Sequence, residues 1–248
     1  MKIVRFSQAG ETHYGILEGS SIALIDSPYS LVATGESAEL QEVKLEVPIE
    51  PKKVICVGLN FADHAHEINQ EPPSEPLFFF KPSSSLTPHE TPIVLPHQSQ
   101  QVEIEVELAI VIGKRVKDIE PTQAKDAVLG FTIANDVTAR DLQFRDLQWA
   151  RAKAFDSFCP LGPWIETEFD PTQKQLTSRI NGDTRQDSPT SQMVFDPWKL
   201  VSFISKNLTL EPGDVILTGS PSGISKIVSG DQVECEIEGI GILRNNVT

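Results

Sequence analysis

The chain has 248 residues, 39% of them hydrophobic and 23% charged, with a formal net charge of −14. That length and apolar content suffice for a buried core, while the negative charge argues against a nucleic-acid or anionic-membrane surface, since both require a positive face. An anionic small-molecule substrate stays open, because a metal or a few local cations reverse the potential inside a cleft.

Residues 1–50 read as a small β-rich unit: "IVRF", "HYGILEG" and "SIALID" are short strand-like runs separated by Gly and Ser turns. The prolines of "LEVPIEPKKV" mark a junction, after which residues 51–248 form the larger unit. "VICVGLN" predicts a buried strand, and "FADHAHEINQ" a short helix stopped by "EPPSEP". The following "LFFFKPSSSLTPHETPIVLP" predicts an ordered loop, and the excursion as a whole suits a lid. "AVLGFTIANDV" predicts a strand and "TARDLQFRDLQWARAK" an amphipathic helix with Leu142 and Leu147 among its apolar positions. Further strands are predicted at "PWIET", "LTSRIN", "GDVILTGS", "DQVECEIEG" and "IGILRNNV", with one late helix at "VFDPWKLVSFISKN". Many short strands and few helices make this an α+β fold, predominantly β.

Cys56, Cys159 and Cys235 are widely spaced and form no CxxC pair, which predicts a reducing compartment and no cysteine-based zinc site. No stretch approaches the roughly 20 apolar residues of a membrane span, and "MKIVRFSQAGETHYG" lacks the apolar run of a signal peptide. The expectation is a soluble, cytoplasmic protein with neither nucleic-acid nor membrane partners.

The chemistry concentrates in "QVEIEVELAIVIGK". On a strand Glu103, Glu105 and Glu107 share one face, which continues as Ala109 and Val111 while Leu108, Ile110 and Ile112 fill the other. From Leu108 both faces are apolar, so Glu107, and with it Glu105, stands where the strand leaves water. A carboxylate there requires a cation or strong donors, and a hard divalent ion suits an all-carboxylate set; alternating Glu is otherwise a solvated face. Asp136, at the end of "FTIANDV", is either a third ligand or a helix N-cap. His64 and Glu67 are three apart on the predicted helix and form either a general-base pair or two surface residues; Asp63 and His66 lie beside them. Lys153 is placed to bind a carboxylate or steady an enolate, or is a helix-end cation facing the dipole. The "VILTGSPSG" turn offers backbone amides and the Ser220 hydroxyl to an anion. No GxSxG, GxxxxGK or GxGxxG pattern is present.

In register along the chain, "NFADHAHE", "PLFFFKPSSSL", "VEIEVELAIVIGK", "FTIANDVTARDLQ", "KAFDSFCPLGPW", "INGDTRQDS", "LEPGDVILTGSPSG" and "GDQVECEIEGIG" closely resemble the fumarylacetoacetate hydrolase family from about residue 54 onwards. The resemblance implies a β-roll, usually dimeric, with Glu105, Glu107 and Asp136 as Mg²⁺ (or Mn²⁺) ligands and Glu103 outside the set. It implies His64 and Glu67 as a general-base dyad and Lys153 as a catalytic lysine. Gln143 and Ser220 match substrate contacts, and Lys81 a recurring basic position. Ser220 stands where Thr is common and Phe61 where Tyr is frequent.

The expected reaction is Mg²⁺-dependent hydrolysis of a C–C bond in acylpyruvates, through a metal-stabilised pyruvate enolate. Oxaloacetate decarboxylation and tautomerisation or isomerisation of a dicarboxylic 2-oxo acid use the same enolate and are the alternatives. A non-catalytic binding protein would carry a broken ligand set, and here the set is intact.

Overall fold

Runs rich in Val, Ile and Phe between Gly and Pro turns become strands almost throughout. The computed structural model describes residues 1–248 and is 42% strand and 17% helix, an α+β fold dominated by β structure. In chain order come β1 (Lys2–Gln8), β2 (Glu11–Glu18), β3 (Ser21–Ile25), β4 (Ala33–Glu39), β5 (Lys44–Leu45) and β6 (Val54–Gly58). Then follow α1 (Ala62–Glu67), β7 (Leu77–Lys81), β8 (Leu86–Thr87), β9 (Val102–Ile104), β10 (Val106–Ile112), α2 (Pro121–Ala127), β11 (Val128–Asn135) and β12 (Thr138–Ala139). Two short helices, α3 (Arg140–Arg145) and α4 (Ala150–Lys153), precede β13 (Cys159–Glu166), β14 (Gln175–Ile180) and β15 (Asp183–Pro189). The chain ends with α5 (Pro197–Asn207), β16 (Val215–Leu217), β17 (Ser225–Lys226), β18 (Gln232–Ile237) and β19 (Gly241–Asn246).

The principal sheet runs β4-β3-β2-β1-β13-β11-β10-β16-β6-β7, so the N-terminal strands continue the same hydrogen-bonded surface through β1 and β13. A four-stranded sheet, β15-β14-β18-β19, and a small one, β12-β9-β17, complete the architecture. β10 is buried on both faces. Leu108, Ile110 and Ile112 enter the main core beside Leu176 of β14, Val233 of β18 and Leu200 and Ile204 of α5. Ala109 and Val111 enter a second core with Ile3, Ile49, Cys56, Leu161 and Leu217. A strand apolar on both sides is what the sequence of 108–112 demands.

β4 and β5 form where no strand is expected, and four further segments differ from the reading of the sequence. "LFFFK" is a strand rather than a loop: it pairs with β6, and Phe79 packs edge-on against Trp149 at 5.3 Å. Three consecutive phenylalanines favour a pleated surface, and the Pro-rich stretch begins only at Pro82. "TARDLQFRDLQWARAK" is not one helix but β12, α3 and α4. Leu142 and Leu147 are five residues apart, about 140° around a helix, so one face cannot bury both; Leu142 is buried and Leu147 is 102% exposed. The third, α2, follows a capping box between Glu120 and Gln123 with Pro121 at its first turn. The fourth, β15, is polar throughout, with only Gln186 and Ser188 buried, and forms a hairpin with β14 through Asn181 and Gly182, both at positive φ.

Candidate active site

The site forms where the chain changes sheets. β9 pairs with β12 and β17, whereas β10 joins the principal sheet, and Glu105 occupies the break between them. Side-chain amides splint that break. Asn135 Oδ1 accepts from the Glu105 N–H (3.0 Å), and Gln186 Oε1 accepts from the Val106 N–H (3.0 Å). The Asp136 N–H donates to the Glu105 carbonyl (2.9 Å), tying the end of β11 to the same point.

The carboxylates of Glu105, Glu107 and Asp136 converge there, all buried, with ligand oxygens within 4.8 Å of one another. Lys153 Nζ stands 3.0 Å from Glu105 Oε2 and 2.7 Å from Asp136 Oδ2. Buried Lys81 donates to Asp136 Oδ1 and to the Val137 carbonyl (3.0 Å). Arg140 bridges Glu105 Oε1 and Glu103 Oε2, the latter at 2.7 Å. Glu103, also held by Gln101 Nε2 at 2.6 Å, lies outside the converging set. Asp136 is not a helix cap: Ala139 occupies the N-cap position of α3.

Charge is unevenly compensated. Burial pushes the Glu105 carboxyl up, but Lys153 and Arg140 outweigh it and hold the group at about 2. Burial likewise opposes the Lys153 charge, yet Asp136 and Glu105 raise its pKa above the ordinary lysine value. Glu107 makes no ion pair; its Oε2 accepts one hydrogen bond, from the Gly219 N–H at 2.6 Å. Burial drives its pKa well above the usual carboxylate range, and Asp136 and Glu105 add to the rise.

The turn from Gly219 to Gly223 connects this group to α1. Ser220 Oγ donates to the Val106 carbonyl (3.0 Å) and accepts from Gln186 Nε2 (2.7 Å), so its hydroxyl is engaged within the protein. The Gly223 N–H donates to Glu67 Oε1 (3.0 Å), and Glu67 Oε2 lies 2.9 Å from His64 Nδ1. Thus the Gly219 amide, offered in the sequence to an anion, is occupied by Glu107, and two turn amides hold carboxylates at opposite ends. Gln143 reaches the group only through Arg140, which donates to its Oε1. Gly223 has φ +94°, and a Cβ there would lie 2.1 Å from the Arg185 carbonyl oxygen. The Gly223→Ala variant is expected to lose about 1–3 kcal/mol of stability and its grip on Glu67; an unchanged denaturation midpoint would contradict this.

Arg140, Asn135 and Gln186 carry no local signal in the sequence. "TARDLQ" gives Arg140 no mark until Glu103 and Glu105 are known to lie opposite it. Gln186, with two acceptor and two donor hydrogen bonds, comes from a strand without apolar alternation.

Residues 53–248 match the family described as "Fumarylacetoacetate (FAA) hydrolase C-terminal", and residues 1–48 match "Rv2993c-like, N-terminal". The chain belongs to the fumarylacetoacetate hydrolase family. Among its relatives is the mitochondrial oxaloacetate tautomerase Fahd2a of Rattus norvegicus, 42% identical over 96% of this chain and 80% of that protein. The structure of 2-hydroxyhepta-2,4-diene-1,7-dioate isomerase from Mycobacterium marinum superposes with a TM-score of 0.94 at 40% identity, covering 100% of this chain and 98% of that one. Maleylpyruvate hydrolase from Sphingobium sp. SYK-6, in complex with manganese(II) and pyruvate, superposes with a TM-score of 0.83 at 30% identity, covering 100% and 99%. Homologues in this family are isomerases, tautomerases and hydrolases acting on small organic acids. No helix is long and apolar enough to cross a membrane.

The donor set fits a hard divalent ion. It is made of oxygen alone, and Glu107 remains uncompensated after Lys81, Lys153 and Arg140 have taken their partners.

Proposed function

We propose that this protein is a Mg²⁺-dependent enzyme, also served by Mn²⁺, that interconverts the enol and keto forms of a small dicarboxylic 2-oxo acid of the oxaloacetate type. The observation that carries this reading is the buried Glu105–Glu107–Asp136 group with one carboxylate lacking a cation. The tautomerase and isomerase names of relatives at 40–42% identity support the substrate class. When bound, the ion would supply electrophilic stabilisation to negative charge on the 2-oxo oxygen. Lys153 orients Glu105 and Asp136 by bonding one oxygen of each, and Arg140 fixes the second oxygen of Glu105. Glu67 pins His64 at Nδ1, which leaves Nε2 to carry the proton. In ketonisation the enol oxygen gives up its proton, the C2–C3 π pair moves to C3 to take up a proton there, and the pair left on oxygen closes the C2=O double bond.

The hydrogen-bonded His64–Glu67 pair favours a second reading, C–C hydrolysis of acylpyruvates. There the dyad would take a proton from water as its oxygen attacks the distal carbonyl. The bond from that carbon to C3 would break, yielding a carboxylic acid and pyruvate.

The two are separated by following enol-oxaloacetate absorbance and pyruvate release from acetylpyruvate, each with Mg²⁺ and with a His64→Ala control. Accelerated enol decay that falls about 10²-fold in the variant supports the first reading. Pyruvate from acetylpyruvate without enol acceleration replaces it by the second. Pyruvate mainly from oxaloacetate, with His64 dispensable, would indicate a decarboxylase instead.

A further inference from the structure

Asp63 is the carboxylate of "FADHAHE" that the proposed chemistry leaves unused. Its helix has six residues, too few to be stable alone, and Ala65 is its only buried side chain. Apolar burial therefore contributes little to holding α1 in place. The chain entering it is firmly fixed. Asn60 Nδ2 donates to the carbonyls of Phe195 (3.0 Å) and Thr218 (2.7 Å), its Oδ1 accepts from the Phe195 N–H (2.8 Å), and buried Phe61 bridges to Met193. The chain leaving it, from Ile68 to Pro76, is largely exposed.

Between these ends, polar contacts seat the helix. Asp63 Oδ2 accepts from Ser188 Oγ (2.6 Å) and Ser222 Oγ (3.3 Å), while its Oδ1 accepts from the His64 N–H (2.8 Å). Glu67 makes the other contact, at Gly223, with the oxygen it does not give to His64. Without Asp63, the docking of α1 would fall on the residue that also has to orient the imidazole. Ser188 is buried on β15 two positions from Gln186, on the same face, and Gln186 fixes the backbone between Glu105 and Glu107. The two serines therefore attach α1 to the strand and the turn that hold the carboxylates.

We propose that Asp63, gripped by Ser188 and Ser222, is a positioning residue that seats α1 and so sets where His64 carries its proton. This rests on the reading of His64 as the proton carrier. It assigns to the first carboxylate of the stretch a task distinct from that of Glu67.

The test uses the full-length protein with Mg²⁺ and the variants Asp63→Ala, Ser188→Ala, their double, and Asp63→Asn. Hydrogen exchange is read at the Ala65, Ile68 and Gln70 amides, which are hydrogen-bonded within or just beyond α1. Enol-oxaloacetate turnover is measured alongside. Asp63→Ala is expected to speed exchange at these amides about tenfold, leave β10 amides unchanged and lower kcat about tenfold with little change in KM. The double variant should match Asp63→Ala, because one contact cannot be lost twice. Asp63→Asn should recover most of both losses by bonding the serine hydroxyls through its amide. Unchanged exchange in Asp63→Ala, additive losses in the double variant, or equal loosening of β10 would each overturn the assignment. If the wild-type protein turned over none of these substrates, the functional reading would fall, and the exchange result alone would decide whether Asp63 seats the helix.

Discussion

Glu107→Gln is expected to abolish turnover while leaving the metal-free protein more stable than the parent. The side chain keeps its shape and an oxygen for the Gly219 N–H, but the buried carboxylate without a cation is gone. Burial disfavours the ionised form of Glu107 that the unfolded chain adopts at neutral pH, so replacing it with a neutral isostere should add about 1–3 kcal/mol to metal-free stability. If the three carboxylates hold the ion as proposed, losing one of them should lower kcat/KM by about 10³-fold or more, since an ion's electrophilic contribution amounts to several kcal/mol. Added Mg²⁺ should raise the melting midpoint of the wild-type protein and leave that of the variant unmoved. The reading fails if the variant melts lower than the parent without metal, or retains the Mg²⁺ shift. Opposite signs for stability and activity at one residue are the signature of a group kept for chemistry at a cost to the fold.

Lys153→Met should act in the other direction on stability. Lys153 is buried and lies within 3.0 Å of both Glu105 and Asp136, and nothing else nearby replaces it on Glu105 Oε2. Removing one member of a buried ionic network strands the others, at about 3–5 kcal/mol. Urea denaturation without metal should show a loss of that size, and activity should collapse with it. Saturating Mg²⁺ should return part of the stability, because the proposed ion would supply charge to the same carboxylates. A loss below about 1 kcal/mol would mean that Arg140 and Lys81 already neutralise the group between them.

The strands and the carboxylates were legible in the sequence because they obey local rules. Alternation placed Glu107 on the face of Ala109 and Val111, at the margin of a doubly buried strand, and that is where it lies. What escaped was everything set by partners remote in sequence. Whether Asp136 caps a helix or meets two lysines depends on β7 and α4 arriving beside it. Gln186 looks like any polar strand residue until β15 is laid against the break at Glu105. The interruption of β9 and β10 was also hidden, because the alternation of 102–107 runs through it unbroken and only the sheets on either side differ. The single helix expected over "TARDLQFRDLQWARAK" fails for a related reason: a spacing of five turns Leu147 away from the face that buries Leu142.

The hydrogen bonding of β1 to β13 has a bearing on how this chain could have been assembled. Two families match it end to end, meeting near residue 50, and a gene fusion could be drawn at that seam. The backbone ladder ignores the seam. Lys2 and Ile3 are in register with Glu166 and Ile165, and the N-terminal amine rests on the Glu166 carboxylate. A descendant that shed the first fifty residues would bare the C-terminal end of β13, the strand that flanks β11, although β8 would still pair with its start at Cys159 and Pro160. It would have to recruit another strand there, from elsewhere in its own chain or from a neighbouring molecule. The N-terminal piece thus serves as a graft whose junction has become part of the trunk.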